Sequence, residues 1–459
     1  MTDKSRQSSK GVISRISRFF GKAPVPADSS SHIIERSAHN ISRDNISENA
    51  LKVLYRLHKS GYQACLVGGA VRDLALGLEP KDFDVATDAS PEEVKSLFRN
   101  CRLIGRRFRL AHVFYGRDII EVATFRGMGE GEEEDEQRTH TEEGRILRDN
   151  VYGTIEEDAW RRDFTINSLY YDIKDFSVID YMDGIADIKQ GVIRLIGDPE
   201  QRYREDPVRM LRAVRFAVKL GFKIEAASEK SIFEMAGLLS DISSSRLFDE
   251  SVKMFMSGQA LQTFELLRHY NLFAQLYPLT EQALSIEEHD YPIMLVAQAM
   301  KNTDERLQSG KSVTPAFLYS ALLWEPIRQK MQLIQEKEGL PEFPAMQKAI
   351  AKVLSQQSQH TSIPKRFSIF MREVWQLQGR FNFMSGGRPY KLLEHPRFRA
   401  AYDFLLLRAG CGEIDQKTAD WWTRFQEMSA AERKKITHGG SRSGGRKRSR
   451  RRKPSSDGG

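Results

Sequence analysis

Apolar positions at Ala50, Leu51, Leu54 and Leu57 recur at helical spacing. Capping residues in Asp44-Asn45-Ile46-Ser47-Glu48 precede them and Gly61 follows, so a helix is expected there and ordered chain from about Ser42. The short apolar run Ala64-Cys65-Leu66-Val67, stopped by Gly68-Gly69, reads as a buried strand. A second helix is expected from Val71 to Leu78, closed by Gly77 and the turn at Pro80, and a strand over Phe83 to Ala86. Pro91-Glu92-Glu93 opens a helix expected to end near Cys101, and two further strands follow around 112–115 and 119–125. Strands alternating with helices define an α/β domain of modest size.

From Met128 to Gly144 the chain turns to glycine and acids, centred on Glu132-Glu133-Glu134-Asp135-Glu136, and reads as a mobile surface loop. Helical periodicity resumes from Ile155 through Tyr171, and strand-like segments follow near 178–181 and 192–195. Beyond Pro207 the pattern is helical to about residue 430, as in Leu392 to Ala409, and no internal repeat is visible. The fold class is α+β, an α/β head followed by an all-helical region.

The 459 residues suggest roughly three domains of about 150 residues. With 40% hydrophobic and 29% charged residues, the chain can bury a core, which excludes a wholly disordered or collagen-like protein. No apolar run approaches the roughly 20 residues needed to cross a membrane. Cys65, Cys101 and Cys411 lie far apart with no C-x-x-C spacing, which fits a reducing compartment and an expected cytoplasmic location.

The formal charge of +8 is unevenly spread. Ser441 to Gly459 carries a net +7 and Met1 to Arg43 a net +5, which leaves the middle of the chain mildly acidic. The run Arg446-Lys447-Arg448-Ser449-Arg450-Arg451-Arg452-Lys453 cannot bury apolar surface, and a polyanion is its natural partner through counterion release. Val12, Ile13, Ile16, Phe19 and Phe20 alternate with Arg15, Arg18 and Lys22, so residues 12–22 are a candidate for peripheral membrane contact.

Lys81-Asp82-Phe83-Asp84-Val85 is the most informative pentapeptide. On a strand, Asp82 and Asp84 would point to one face, and like charges held close repel unless a cation lies between them. Hard carboxylate oxygens select magnesium over zinc, and two metal ions can activate an attacking hydroxyl while stabilising a departing pyrophosphate. Ile119-Ile120-Glu121-Val122-Ala123 places one acid in an apolar run. Glu121 is therefore either a third metal ligand or a residue facing water from an edge strand.

Leu66-Val67-Gly68-Gly69-Ala70-Val71-Arg72-Asp73 joins a strand to a helix through two glycines that let backbone approach a phosphate, with Arg72 able to add a forked contact. No G-x-x-x-x-G-K-[ST] occurs, which argues against a Walker-type ATPase. In Arg161-Arg162-Asp163-Phe164-Thr165-Ile166-Asn167, expected on a helix, Asp163 and Asn167 share a face. The arginines there suit a triphosphate, and the Asp and Asn suit ribose hydroxyls or the reacting centre. Glu205-Asp206-Pro207-Val208-Arg209 starts the next helix; Asp206 and Arg209 match an adenine edge, whereas chemistry alone favours Asp206 as a helix cap. Arg202, Arg204, Arg212 and Arg215 add a cationic surface for a nucleic acid.

Together these stretches resemble the class II nucleotidyltransferases, which include tRNA CCA-adding enzymes and bacterial poly(A) polymerases. The resemblance rests on the glycine segment, Asp82-Phe83-Asp84, the Arg161–Asn167 motif and the Glu205–Arg209 motif, in order over Ser42 to Phe222. It implies a polymerase-β-like head with a helical neck, body and tail, and two Mg²⁺ ions held through Asp82 and Asp84. It further implies a third catalytic acid or ribose contact at Asp163, and reading of the incoming base by Asp206 with Arg209. Gly68, Gly69, Arg72, Arg162 and Asn167 complete the expected nucleotide site, and whether Glu121 or Asp163 completes the metal site stays open, with Asp163 favoured as the family's acid. Ala70 departs from relatives that carry glycine.

Leu103-Ile104-Gly105-Arg106-Arg107-Phe108-Arg109-Leu110-Ala111-His112-Val113 looks like the signature of the poly(A) polymerase branch. That branch implies AMP transfer from ATP to the 3′ ends of single-stranded RNA, both mRNA and small RNAs, promoting decay with RNA-decay proteins as partners. The rivals are a CCA-adding tRNA nucleotidyltransferase and a non-catalytic RNA-binding adaptor. The expected division is a basic, largely disordered arm over 1–43 and a catalytic domain over 44–198. A helical neck over 199–270, a helical domain over 271–432 and a disordered basic RNA-binding tail over 433–459 follow.

Overall fold

Residues 32–105, 109–127, 138–140, 146–149, 151–286 and 291–438 are described by the computed structural model of the chain. The amphipathic stretch 12–22, the acidic core of the 128–144 loop and the basic run 446–453 lie outside the described residues. Contacts divide the chain into two compact units, Met1–Asp198 and Pro199–Gly459.

The first unit is built on a mixed eight-stranded sheet. Its strands are β1 (His32–Ile34), β2 (Ala64–Val67), β3 (Asp84–Thr87), β4 (Cys101–Ile104), β5 (Leu110–Tyr115) and β6 (Asp118–Thr124). A separate hairpin of β7 (Arg138–His140) and β8 (Ile146–Asp149) intervenes before β9 (Leu169–Asp172) and β10 (Val178–Asp180) complete the sheet. The spatial order is β1-β10-β9-β2-β3-β6-β5-β4. Only β3 and β6 run parallel; they are in register at Val85↔Val122. Every residue of β2 is buried, as its apolar run implies for a central strand, and Cys65 and Val67 pack with Ala86, Phe125, Ala159 and Tyr170. All three cysteines are free and buried.

The helix Glu48–Lys59 starts at Ser47, whose side chain accepts from the Ala50 N–H, and buries Ala50, Val53, Leu54 and Leu57. The helix Pro91–Leu97 opens on a reciprocal Ser90–Glu93 capping box with Pro91 in its first turn.

Several elements differ from the sequence reading. The strand β1, within the expected basic arm, pairs antiparallel with β10 and extends the sheet by one strand ahead of Ser42. The helix before Cys101 stops at Leu97, since Cys101–Ile104 is a strand hydrogen-bonded to β5. The 128–144 segment includes β7, which pairs with β8. Leu103–Val113 forms the two sides of the β4–β5 hairpin, paired at Leu103↔Ala111 and Ile104↔Leu110, with residues 106–108 outside the described set.

The expected helix over 155–171 ends at Arg161. Arg162 takes an extended conformation, a short 3₁₀ turn covers Thr165–Asn167, and β9 follows. Tyr170 and Tyr171 are buried, and a strand fills that central position with aromatic side chains.

The second unit is helical apart from the two-residue strand Lys223–Ile224. The long helix read over 392–409 is two helices, Arg388–Leu393 and Phe398–Gly410, because Pro396 disfavours helical backbone at the residue before it. Trp422, Phe425, Phe398, Tyr402 and Leu405 pack into one core cluster there. The last helix, Ala430–His438, runs beyond the expected start of the tail at 433. Among the described residues, no helix is long and apolar enough to cross a membrane.

Candidate active site

The site is organised by the ends of three neighbouring strands. β2 ends at Val67, whose register partner across the sheet is Asp84, the first residue of β3. Directly after Val67 the chain turns through Gly68, with φ of +68° and ψ of −128°, into the helix Gly69–Ala75. That conformation is open to glycine and strained for other residues. A side chain at Gly68 would also crowd Arg162, whose Nη1 lies 3.2 Å from where a Cβ would stand. On the far side of β3, the parallel register sets Glu121 of β6 beside Asp84, one step before Val85↔Val122.

Asp84, Glu121 and Asp82 therefore form one concentration of negative charge, with Asp84 in the middle. Desolvation by the surrounding protein, then the negative Glu121, then Asp82 push the Asp84 carboxyl up to about 6 although the residue as a whole is solvent-exposed, and Arg162 opposes them. Asp82 precedes the strand, in irregular chain at an exposed position. The strand β3 starts only at Asp84, and Asp82 nevertheless lies near enough to act on the Asp84 carboxyl. Glu121 sits on an interior strand between β3 and β5, yet its side chain is 48% exposed and lies 3.2 Å from His112 Nε2. It is thus neither buried nor on an edge.

Among the described residues, no three His, Cys, Asp or Glu side chains are gathered closely enough to form a ready metal cluster. The donor set nonetheless fits a hard cation. It consists of carboxylate oxygens crowded so that the surrounding protein and then the neighbouring charges raise the Asp84 carboxyl to about 6, a cost that a divalent ion would remove. Asp82 and Asp84, with Glu121 alongside, are the residues able to hold it.

Beneath the glycine turn lies a buried polar network. Arg162 Nη2 and Nε donate to Asp158 Oδ2 at 2.8 and 3.1 Å, and Nε also donates to the Tyr170 hydroxyl at 2.8 Å. The Tyr170 hydroxyl in turn donates to Asp158 Oδ2 at 2.7 Å. Burial alone would lower the Arg162 pKa, but Tyr170 and Asp158 override it and hold the guanidinium charged. Arg162, which the sequence reading gave to a triphosphate, is thus anchored to Asp158 and Tyr170, with its side chain 22% exposed.

A second network runs from the glycine helix. Arg72 is 2% exposed; its Nε and Nη2 donate to Asp73 Oδ1 at 2.8 and 2.6 Å, and its Nη1 donates to Asn167 Oδ1 at 2.5 Å. Asn167 Nδ2 donates onward to Asp163 Oδ1 at 3.2 Å, which also accepts from the Phe164 N–H at 2.9 Å. Asp163 and Asn167 thus meet as expected, but across a 3₁₀ turn instead of along a helix. Gly68 N–H donates to Leu169 O at 3.1 Å, which ties this turn to the glycine segment.

In the second unit, Asp206 is held by Arg246, whose Nη1 and Nη2 donate to its two oxygens at 2.9 and 2.7 Å. Arg209 Nη1 donates to Glu205 Oε2 at 3.0 Å and to Arg202 O at 2.6 Å, and Arg202 shares the same Glu205 carboxylate. Pro207, not Asp206, is the helix N-cap, and it makes no side-chain cap bond. Asp158, Tyr170 and Arg246 were missed in the sequence, and Glu205 was quoted in its motif without a role. Asp158 and Glu205 each carried a local signal, i, i+4 spacing to Arg162 and to Arg209.

The sheet with its glycine turn and acid pair, followed by helices, is a polymerase-β-like nucleotidyltransferase head with a mostly helical continuation. Over 86% of this chain and 99% of the other, the chain matches a solved apo-form tRNA-processing enzyme at a TM-score of 0.58 and 22% identity, a likeness of fold. Residues 64–194 match the Poly A polymerase head domain, residues 221–284 the probable RNA and SrmB-binding site of polymerase A, and residues 338–455 the polymerase A arginine-rich C-terminus. Poly(A) polymerase I of Salmonella typhi is 51% identical over 405 residues, 88% of this chain and 87% of that one. The CCA-adding enzyme of Leuconostoc mesenteroides is 40% identical over 218 residues, 48% of this chain and 52% of that one. The chain belongs to the poly(A) polymerase I family.

Proposed function

We propose that the protein is a template-independent polynucleotide adenylyltransferase that adds AMP from ATP to RNA 3′ ends. The observation that carries this is the register Val67↔Asp84, which sets the glycine turn against the acid pair on adjoining strands. The 3′-hydroxyl oxygen of the RNA forms a bond to the α-phosphorus of ATP, the bond from that phosphorus to the bridging oxygen breaks, and pyrophosphate departs. The hydroxyl proton passes to solvent.

Magnesium held by Asp82 and Asp84 would supply charge neutralisation and hydroxyl activation. The backbone N–H groups after Gly68 and Gly69 face no carbonyl within their own helix and suit the triphosphate. Asp163, steadied by Asn167, suits a ribose hydroxyl or the reacting centre. Arg72 and Arg162 hold these parts from behind. Asp206, fixed by Arg246, and Arg209 read the adenine edge. The catalytic domain over 44–198, the neck over 199–270 and the helical domain over 271–432 are the working division. The location is cytoplasmic, and decay of mRNA and small RNAs, with RNA-decay proteins, is the setting.

Incubation of the whole chain with oligo(A) and each nucleoside triphosphate separately tests this reading. Long tails from ATP alone, abolished in Asp82→Ala while RNA binding persists, are expected. Growth that needs CTP and stops after a few residues would assign the CCA-adding activity instead, and no pyrophosphate release with any nucleotide would leave an RNA-binding adaptor.

A further inference from the structure

The second unit contains a cavity of about 800 Å³, within the range of small-molecule and nucleotide sites. Its walls come from the helix Tyr291–Gln308, the start of the helix Pro315–Leu322, the helix Lys365–Gln378 and the helix Phe398–Gly410. None of the residues assigned above to transfer chemistry lines it.

The floor is aromatic and aliphatic, with Phe317, Phe370 and Leu406. Phe317 is locked edge-on against Phe404, with ring centres 6.1 Å apart, and Arg397 lies over the Phe370 ring at 5.1 Å. A flat π-system can extend such a stack. Gln298 and Asn302, whose amides meet at 2.7 Å, offer donors and acceptors of the kind a base edge needs.

Arg306, Arg397 and Arg399 line the cavity beside Glu305 and Asp403, and Arg397 Nε donates to Glu373 Oε2 at 2.7 Å. Arg399 is 76% exposed and pairs at 3.0 Å with Asp403 one helical turn on, an arrangement that contributes little and yields its guanidinium cheaply to a phosphate. Arg306 donates to Ser312 O at 3.3 Å. Apolar floor, amide edge and guanidinium rim are the three chemistries of a nucleotide unit: base face, base edge and phosphate.

We propose that this cavity is a second adenine-nucleotide site, remote in sequence from the transfer chemistry, that holds an adenosine unit of the single-stranded RNA being extended. RNA is chosen over a free nucleotide because three arginines, Arg306, Arg397 and Arg399, line the one cavity, and because the sequence C-terminal to its helices is rich in arginine. The choice of RNA rests on the adenylyltransferase reading, whereas the chemistry of the cavity does not.

The test uses the full chain and a fluorescent oligo(A) of about 15 nucleotides, near the length a single-strand groove covers. Ala400→Leu narrows the cavity, and Arg399→Ala removes an exposed charge whose inner contact is the Tyr402 ring at 5.6 Å. Both are expected to weaken oligo(A) binding about tenfold. Both should leave KM for ATP and the melting temperature unchanged, and Arg399→Ala should flatten the salt dependence by about 0.7 in log–log slope.

Oligo(A) bearing a photoactivatable azidoadenosine should crosslink to the wild-type helix Phe398–Gly410 and not to that of Ala400→Leu. If AMP raises the wild-type melting temperature but not that of Ala400→Leu, while oligo(A) affinity is equal, the site stands with free nucleotide as its occupant. Unchanged affinity for oligo(A) and AMP in both variants, or a crosslink that ignores Ala400→Leu, overturns the proposal. Failure of the wild type to extend oligo(A) with ATP would instead strike at the adenylyltransferase reading alone.

Discussion

Arg72 Nη1 donates to Asn167 Oδ1 at 2.5 Å, which joins the glycine helix to the turn that carries Asp163. Nε and Nη2 donate to Asp73, so the geometry of the guanidinium is set from both sides. Lysine has one compact ammonium and no fork, and cannot reproduce both contacts. Arg72→Lys is expected to lower kcat about 100-fold through misplacement of Asp163, with KM for ATP changed by less than about threefold. Steady-state kinetics with ATP varied checks this. A large rise in KM with kcat preserved would return Arg72 to direct contact with the triphosphate.

Asp158 faces a buried arginine and a buried tyrosine hydroxyl with a single carboxylate oxygen. Removing its charge leaves the Arg162 guanidinium uncompensated inside the protein. Asp158→Ala is therefore expected to destabilise the first unit by about 3–5 kcal/mol. Urea unfolding followed by circular dichroism measures the difference, and a loss under about 1 kcal/mol would show that Tyr170 and backbone carbonyls suffice to hold Arg162.

The Asp84 carboxyl, raised to about 6, makes a signed pH prediction. Its folded pKa lies above the unfolded value near 3.9, so the fold favours the protonated form. That preference contributes stability below about pH 4 and is lost as pH rises through about 6. At pH 7.5 in chelator, Asp84→Asn should therefore melt higher than wild type while losing AMP transfer. Added Mg²⁺ should raise the wild-type melting temperature and leave the variant unmoved. Because the cation needs the ionised carboxylate, its affinity should weaken below about pH 6, which calorimetric titration of Mg²⁺ at two pH values would reveal.

Much of the head was legible because its signals are local. A short apolar run stopped by paired glycines can only be a buried strand entering a turn, and Ala64–Gly69 is one. The Pro91–Leu97 helix carries its capping box in four residues. The region from Ile155 to Tyr171 misled because Ile155, Ala159, Ile166 and Tyr170 satisfy a helical period while the last of them belong to a strand. What decides between the two is the closure of Asp158, Arg162 and Tyr170 around one another, a tertiary event with no periodicity. β1 was missed for the opposite reason. Its residues are exposed or half-buried at the sheet edge, so His32–Ile34 shows no pattern to read. The acid pair was legible as a D-x-D spacing, although the strand itself begins only at Asp84.

Asp206 and Arg246 are forty positions apart in sequence and form a two-pronged pair, an arrangement that spacing cannot announce. The pair is partly buried, with the Asp206 side chain 17% and the Arg246 side chain 34% exposed. A carboxylate so held keeps a fixed direction while its outer lone pairs still accept. If Asp206 reads the exocyclic amine of adenine, freeing it should blur recognition before it harms chemistry. Arg246→Ala is thus expected to raise KM for ATP about tenfold and to narrow the preference for ATP over GTP by a similar factor. Turnover at saturating ATP should stay within about threefold of wild type, since no group at the reacting phosphate has moved. Competition between ATP and GTP in single-turnover incorporation reads the ratio directly. A uniform loss of rate with every nucleotide, and no change in their ratio, would make the Asp206–Arg246 pair a brace for the helix Val208–Leu220 and take it out of base selection.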